Sequence, residues 1–301
     1  MLTKIENYFN DDLIGNYHKG KSARQTFTDI VDEFFDDWDS NVYIAGQAGV
    51  GKTFLVKEMA TKYPDVHFIQ ISGQMSAWHF TQRLAVEMYF AEMHGKTKIA
   101  FYLDDINTLF KHVELMDMFK IMLDPKAGAA KFEYNKGIQI GSLDEIEAEA
   151  IQYWKDKNPT RTGFEIDFKD RVKFIMTMNT PLPTPTDIAK MKEGDKKIKQ
   201  TNLSAVTSRF GDGYQDLMMT KDQMWGWMAY VVWNDPTMCE GATFEQRYEM
   251  LQYLWDGWEK CNEHSLRMVE FTMWKIMKKK PLRKDYTSRW SRHFTNIQGG
   301  K

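Results

Sequence analysis

The clearest chemical pattern in the 301-residue chain is GQAGVGKT, the stretch from Gly46 to Thr53. It matches G-x-x-x-x-G-K-[ST], in which glycines let backbone N–H groups wrap around phosphate oxygens. Lys52 would reach the β- and γ-phosphates of a nucleotide, and the Thr53 hydroxyl would ligate Mg²⁺. A glycine turn without function is the alternative, but the motif lies between a predicted strand and a predicted helix, as phosphate binding requires. The predicted nucleotide-binding residues are Gly46, Gln47, Ala48, Gly49, Val50, Gly51, Lys52, Thr53 and Phe54.

Two adjacent carboxylates, Asp104 and Asp105, end the apolar run AFYLDD about fifty residues after this loop. Side chains at the carboxyl end of a parallel strand lie near the loop that follows the neighbouring strand. We therefore predict that Asp104 holds Mg²⁺, directly or through water. Asp105 would orient or deprotonate the attacking water. Without the loop, the pair would be better explained as the solvated end of a strand.

Strands and helices are predicted to alternate around these motifs. The predicted strands are NVYIAG, VHFIQIS (66–72), KIAFYLDD (98–105) and RVKFIMTMN (171–179). The predicted helices include 23–38, TFLVKEMATKY, HVELMDMFKIML and the stretch after Ser76, which is a suitable N-cap, with Gly95 as its stop. This alternation indicates a parallel sheet with crossover helices.

The pattern changes near residue 220, where the strands stop and three helical segments follow in a row. We therefore predict an α/β domain over 1–219 and a smaller all-helical lid domain over 220–301. An insertion at about 131–160 would contain a hairpin, FEYNKGIQIG, and an exposed charged helix, 143–157. The Pro- and Lys-rich stretch 181–202 is predicted to be a loop.

Composition limits the classes of partner and compartment. The formal net charge is −2 and the pI is about 6.4, so nucleic acid could be held only by a local basic patch. Cys239 and Cys261 are 22 residues apart and lack metal-ligand spacing, which indicates a reduced pair. No signal-like segment and no long apolar run is present, so we expect no membrane contact and a cytoplasmic location, the host cytoplasm if the protein is viral.

From about residue 24 to residue 280, these motifs make the chain resemble the AAA+ ATPases, a branch of the P-loop NTPases. Asn179, which ends KFIMTMN, matches the sensor-1 residue that helps to place the lytic water; alone it would be a turn residue. Arg209, in LSAVTSRF, matches the arginine finger that reaches the neighbouring subunit's nucleotide; the alternative is a surface ion pair. Arg267, in HSLRMVEF, lies where the family keeps sensor 2, and Ser265 could cap that helix.

Within AAA+, the order YLDDIN, MTMNTP and LSAVTSRF looks most like the MoxR-type branch and related phage and plasmid ATPases. That branch places a hairpin before the sensor-1 strand. The chain departs from the family at Asp105, where glutamate is usual. The shorter side chain retracts the carboxylate by one methylene, roughly 1.5 Å, so hydrolysis could be slow or depend on a partner.

The resemblance implies an ATPase that uses ATP and Mg²⁺ at the interfaces of a homo-oligomeric, hexameric ring. Three hypotheses remain open for its work: remodelling of a protein client, a DNA-directed motor or loader in replication or packaging, and a nucleotide-dependent scaffold with weak hydrolysis. The helix 143–157 is a candidate docking surface or simply a solvated face. Trp78 is a candidate pore-loop aromatic residue or a buried helix residue.

The tail from Lys275 to Arg292 is the feature that favours nucleic acid. It contains eight Lys or Arg and one acidic residue, Asp285, with aromatic residues interleaved. Basic and aromatic residues together can grip a phosphate backbone and stack on bases. A solvated helix end explains the same composition equally well.

Overall fold

The computed structural model describes residues 5–37, 41–73, 75–106, 113–123, 131–135, 143–168, 171–182, 205–235, 237–261, 264–280 and 282. In chain order its helices and strands are α1 (Asp11–Asp36), β1 (Val42–Ala45), α2 (Lys52–Ala60), β2 (Val66–Ser72), α3 (Ala77–Met93), β3 (Lys98–Asp104), α4 (Val113–Met122), β4 (Lys131–Tyr134), α5 (Glu145–Lys157), β5 (Phe164–Asp167), β6 (Val172–Met178), β7 (Tyr214–Asp216), α6 (Lys221–Asn234), α7 (Phe244–Asp256) and α8 (Leu266–Met277). Residues 205–210 are also helical, and short 3₁₀ turns lie at Ile5–Asn7, Gly211–Gly213 and Trp258–Lys260.

The chain forms two compact units. The first contains Met1–Ile30, Gln47–Lys52 and Leu217–Lys301, and the second contains Val31–Gly46 and Thr53–Asp216. The helical segments after residue 220 belong to the first unit, together with most of α1 and most of the glycine loop. The domain boundary at 219/220 stays a prediction.

The second unit is built on a five-stranded sheet with the order β2-β3-β6-β1-β7, and every neighbouring pair is parallel. This confirms the predicted parallel sheet flanked by helices. Because helices cover the sheet, its interior strand β3 is largely apolar at consecutive positions, and residues 99–103 are all buried. Asp104 pairs with Ser72 of β2 on one side and with Thr177 of β6 on the other, so the carboxyl ends of three strands lie side by side.

Helix α3 begins where the sequence indicates, because the Ser76 hydroxyl accepts a hydrogen bond from the His79 N–H at 3.1 Å. The predicted exposed charged helix at 143–157 corresponds to α5, which is exposed on one face and buried on the other. Its Ile151 and Trp154 are buried, and the Trp154 indole N–H donates to the Ala85 carbonyl of α3 at 2.9 Å. Ile151 and Trp154 lie three positions apart, so they share one face of the helix, and exposed charged residues such as Glu149 and Asp156 lie on the other face.

The first half of the predicted hairpin is a strand with a different partner. Lys131–Tyr134 pairs antiparallel with Phe164–Asp167, about thirty residues later in the chain. The second half, at 136–141, lies outside the described residues. Most of the predicted loop 181–202 does as well.

The first unit is packed around tryptophans of α6. Trp225 and Trp227 are buried, and the Trp225 indole N–H donates to the Leu251 carbonyl at 3.1 Å. Helix α1 approaches α6 closely, because a Cβ on Gly20 would lie 1.9 Å from the Gly226 carbonyl carbon. Both tryptophans are therefore core residues of this unit. Within the described part of the chain, no helix has the length and apolarity needed to cross a membrane.

Candidate nucleotide-binding site

The phosphate loop, residues 46–51, connects β1 to α2, which begins at Lys52. Gly49 and Gly51 have φ angles of 77° and 86°, a region that favours glycine. The Lys52 side chain is buried, and its ammonium group donates to the Gln47 carbonyl at 2.8 Å. Backbone N–H groups at the start of a helix and a lysine ammonium are the groups that bind phosphate. The loop residues therefore fit the triphosphate of a nucleotide.

Within the first unit, the phosphate loop contacts the segments that begin α6 and α8. The Gln47 amide donates to the Met219 carbonyl at 2.7 Å and accepts from the Met219 N–H at 3.0 Å. The Leu266 N–H donates to the Gly49 carbonyl at 2.9 Å. A Cβ at Gly49 would lie 2.2 Å from the Cβ of Ser265, so this contact requires glycine. The sequence does not mark the Gln47 contact, since its partners are backbone atoms more than 170 residues away.

Within the second unit, the Thr53 hydroxyl lies 3.0 Å from both carboxylate oxygens of Asp104. The predicted metal ligands are thus brought together. A hydroxyl and a carboxylate are the oxygen ligands that Mg²⁺ prefers, and the metal usually retains phosphate and water ligands as well. These two residues fit a Mg²⁺ ion.

Three further side chains contact Asp104, and no sequence motif indicates them. They are Gln70 of β2, Tyr102 of β3 and Thr177 of β6. Burial raises the pKa of Tyr102 far above its ordinary value, so its hydroxyl keeps its proton and can donate. We call these three residues, with Asp104 and Thr53, the Asp104 cluster.

Asp105 and Asn179 lie at the same edge of the sheet. Asp105 follows β3 with a φ of 52°, a left-handed conformation that Asp tolerates better than most residues, and its N–H donates to the Thr177 carbonyl at 2.9 Å. Asn179 directly follows β6, the strand between β3 and β1, and is half-buried. Asp105 follows Asp104 directly, and Asn179 comes two residues after Thr177, the register partner of Asp104.

The two predicted arginines belong to different units. Arg209 is half-buried in the helical segment 205–210, where its Nη1 donates to the Ala205 carbonyl at 2.8 Å. Arg267 is exposed in the first turn of α8. The predicted cap of that helix is confirmed, because the Ser265 hydroxyl accepts from the Met268 N–H at 3.3 Å.

Trp78, the two cysteines and Phe54 lie outside the Asp104 cluster, and the structure shows the environment of each. Trp78 lies in the first turn of α3 and packs partly buried against the core, with its ring 5.2 Å from that of Tyr134, which favours the helix-packing interpretation. Burial raises the pKa of the Cys239 and Cys261 thiols to about 11, so neither is a nucleophile at neutral pH. Phe54, the third residue of α2, is 56% exposed.

The chain was compared with curated proteins and with models of protein families. A search among curated proteins found no match. A family model described as "ATPase family associated with various cellular activities (AAA)" matches residues 42–198, which is more than half of the chain and contains the phosphate loop, Asp104 and Asn179. This chain belongs to the AAA family of ATPases.

Proposed function

We propose that this chain is an ATP-hydrolysing AAA+ motor of the MoxR-type branch that works as a hexameric ring and remodels a macromolecular partner. The observation that carries the proposal is the contact between Thr53 and Asp104 at 3.0 Å, which unites the end of the phosphate loop with the strand-end carboxylate. An α/β domain over 1–219 and a lid over 220–301 belong to the same proposal.

The residues would divide the work of hydrolysis. Lys52 and the loop N–H groups would bind the phosphates, while Thr53 and Asp104 would hold Mg²⁺, which neutralises developing phosphate charge. Asp105 would orient or deprotonate water, and Asn179 would help to place that water. The first-turn position of Arg267, next to Leu266, supports a role for it near the loop.

Arg209 would act across a subunit interface. Its segment lies in the α/β unit, and an arginine supplied in trans stabilises charge in the transition state by a large factor. A finger of this kind has no use in a monomer, so Arg209 supports a ring. ATP turnover per subunit should then rise with protein concentration and reach a plateau.

The decisive experiment combines two inactive variants. Arg209→Ala should bind ATP normally but lose turnover. Lys52→Ala should lose nucleotide binding but retain Arg209. Co-expression of the two should restore part of the turnover, because a Lys52→Ala subunit can donate Arg209 to an intact neighbouring site. Exposed Arg161 provides the control substitution, Arg161→Ala. Wild-type turnover by Arg209→Ala, or no recovery in the mixture, would contradict the trans arrangement.

A protein client is our first proposal for the substrate. The net charge of −2 provides no general attraction for nucleic acid. The inserted helix α5 packs on α3 with one face and leaves exposed charged residues such as Glu145 and Asp156 on the other. That outer face is a surface on which a client or adaptor could dock.

A DNA-directed motor is the second candidate, and helix α8 supplies the observation that favours it. The rings of Phe271 and Trp274 stack at 6.3 Å, with Lys275 4.9 Å from the first ring and Lys280 4.3 Å from the second. Trp274 is 43% exposed. Aromatic rings beside lysines can stack on bases and hold phosphates. The rest of the basic tail, 283–292, lies outside the described residues.

Steady-state turnover with added DNA separates these candidates. Several-fold stimulation that fades as salt rises would favour the DNA motor, since phosphate contacts are salt-dependent. The stimulation should then be lost in Trp274→Ala. Turnover that is indifferent to DNA would favour a protein client. No turnover under any condition would favour the nucleotide-dependent scaffold, for which Asp105 in place of glutamate is the support.

A further inference from the structure

The carboxylate of Asp104 accepts hydrogen bonds from outside the phosphate loop on both of its oxygens. Gln70 donates to Oδ2 at 3.1 Å. Tyr102 lies 2.9 Å and Thr177 3.2 Å from Oδ1. These donors come from β2, β3 and β6, three adjacent strands of the sheet. Rotation of the carboxylate about its Cβ–Cγ bond would therefore break contacts on both sides.

Tyr102 and Thr177 act as a pair, because their hydroxyl oxygens are also 2.7 Å apart. Each hydroxyl has one proton. If Tyr102 donates to Asp104, Thr177 donates to Tyr102; if Thr177 donates to Asp104, Tyr102 donates to Thr177. Either arrangement provides one hydrogen bond to Oδ1 and one within the pair. Each hydroxyl can also replace the other, since both lie within reach of Oδ1.

A structural role for these groups in the sheet interior is a poor explanation for their presence. Tyr102 and Thr177 are fully buried, and their neighbours in β3 and β6, such as Leu103 and Met176, are apolar. Burying a hydroxyl costs free energy unless it is hydrogen-bonded. Phe and Val would fill the same positions without that cost. The contacts that hydroxyls provide and those residues cannot are the ones to Asp104 and, for Tyr102, to Thr53 as well.

We propose that Gln70, Tyr102 and Thr177 are positioning residues that fix the orientation of the Asp104 carboxylate for Mg²⁺ binding. The inference rests on the proposed function, in which Thr53 and Asp104 hold the metal. Partners of this kind orient a ligand without touching the metal, and their loss typically lowers metal affinity or activity about 10- to 100-fold. Thr53 supplies one ligand directly, and the contact that the three positioning residues share is the one to Asp104; Tyr102 also contacts Thr53.

The test measures ATP binding rather than turnover, with a fluorescent ATP analogue. The Kd of the analogue is determined in EDTA and again in saturating Mg²⁺. The Kd in EDTA divided by the Kd in Mg²⁺ is the Mg²⁺ ratio, which reports how well the protein holds the metal. Gln70→Leu should lower this ratio about tenfold while the Kd in EDTA stays at the wild-type value. The EDTA value is thus an internal control for damage to the loop or the fold.

The pairing of hydroxyls predicts a non-additive result. Tyr102→Phe leaves Thr177 to donate at the longer distance, and Thr177→Val leaves Tyr102 to donate at the shorter one. Each single change should therefore lower the ratio less than about threefold, with Tyr102→Phe the larger, whereas the double variant should lower it about tenfold or more. Thr177→Ser keeps the hydroxyl and should restore the wild-type ratio.

Matched controls remove similar groups elsewhere in the same unit. Tyr63 donates to the Asp32 carboxylate at 2.7 Å, and the buried Thr81 donates to the Ala77 carbonyl at 2.9 Å. Tyr63→Phe and Thr81→Val should leave the ratio unchanged. Gln70→Leu and double-variant ratios within twofold of wild type would overturn the proposal, as would equal losses in EDTA and Mg²⁺. A wild-type ratio of one would instead overturn the assignment of Thr53 and Asp104 to the metal.

Discussion

The phosphate loop is held through backbone atoms, whereas Asp104 is held by side chains. The Leu266 N–H donates to the Gly49 carbonyl, and the Gln47 amide donates to the backbone carbonyl of Met219. The glycines at 49 and 51 are required by their φ angles. In the Asp104 cluster, three hydroxyls and one amide surround one carboxylate.

The two regions should therefore respond differently to substitution. A backbone-built loop tolerates change at its side chains, except where a charge or the lack of a Cβ is essential. A cluster of side chains loses one defined hydrogen bond with each substitution and can compensate where donors overlap. The following predictions test this contrast, beginning with the largest effect.

Lys52→Ala should have the largest effect on function, because Lys52 is the one charged side chain in the stretch 46–53. Loss of an ammonium that balances phosphate charge should reduce kcat/KM for ATP about 1,000-fold. Lys57→Ala, an exposed position on the same helix, should leave it unchanged. If Lys52→Ala kept wild-type affinity for ATP in a direct binding assay, the loop would not be the phosphate site.

Asp105→Asn should separate binding from hydrolysis. Asn tolerates the left-handed backbone of this position, so the fold should be kept, but it cannot accept a proton from water. Turnover should fall about 100-fold while the Kd for ATP stays the same or improves, because a negative charge near the phosphates is removed.

Exposed Asp65 provides the control for that substitution, Asp65→Asn. Asp105→Glu adds the methylene that the family usually has. A rise in turnover would show that the reach of Asp105 limits hydrolysis. Equal turnover in Asp105→Asn and wild type would remove Asp105 from the mechanism.

Gly49→Ala should perturb the loop through its backbone alone. The added methyl group would meet the Ser265 Cβ at 2.2 Å, and the φ of 77° is strained for alanine. We expect a loss of about 2 kcal/mol in the free energy of unfolding, measured by urea denaturation. Gly15→Ala, inside α1 with no atom within 4 Å, should instead stabilise by about 0.5–1 kcal/mol.

A second substitution tests the contact itself. Ser265→Gly removes the Cβ that the methyl group of Gly49→Ala would meet and, at an N-cap, should cost only a few tenths of a kcal/mol alone. The double variant should therefore recover part of the stability lost in Gly49→Ala. A loss that Ser265→Gly does not change would show that backbone strain, and not the contact, limits this position.

The two regions also differ in how far the sequence predicts them. The loop and the pair Asp104-Asp105 are runs of neighbouring residues with a known pattern, and the buried strands around them are continuous apolar runs. The strand at 66–72 is predicted to the residue. Asn179 is predicted from its place at the end of such a strand.

The partners of Asp104 could not be predicted in the same way. Gln70, Tyr102 and Thr177 become neighbours only through the order and register of three strands, which local patterns do not encode. The same holds for β4, whose partner β5 is far along the chain, and for α5, whose Trp154 shows burial only once α3 is placed beside it. Long-range pairing is the common cause.

Gln47 is the exception in the loop, since its side chain makes the contact, and it should give the smallest effect. Gln47→Leu removes two hydrogen bonds to the backbone of Met219, a partly exposed residue, so water can replace part of the lost contact. The free energy of unfolding should therefore fall by about 1 kcal/mol. Gln25→Leu, at an exposed position of α1, should change it by less than about 0.5 kcal/mol.

The stability of Gln47→Glu at different pH values tests the hydrogen bond to the Met219 carbonyl more directly. A glutamate can still accept from the Met219 N–H, but it can donate to the Met219 carbonyl only when protonated. Folding should therefore raise the pKa of this carboxyl above the unfolded value of about 4.3. Its stabilising contribution is present at low pH and lost as pH rises through the folded pKa. The stability gap between Gln47→Glu and wild type should thus narrow from pH 7 to pH 5, whereas that of Gln47→Leu should stay constant. A constant gap for both variants would mean that the amide does not donate to Met219.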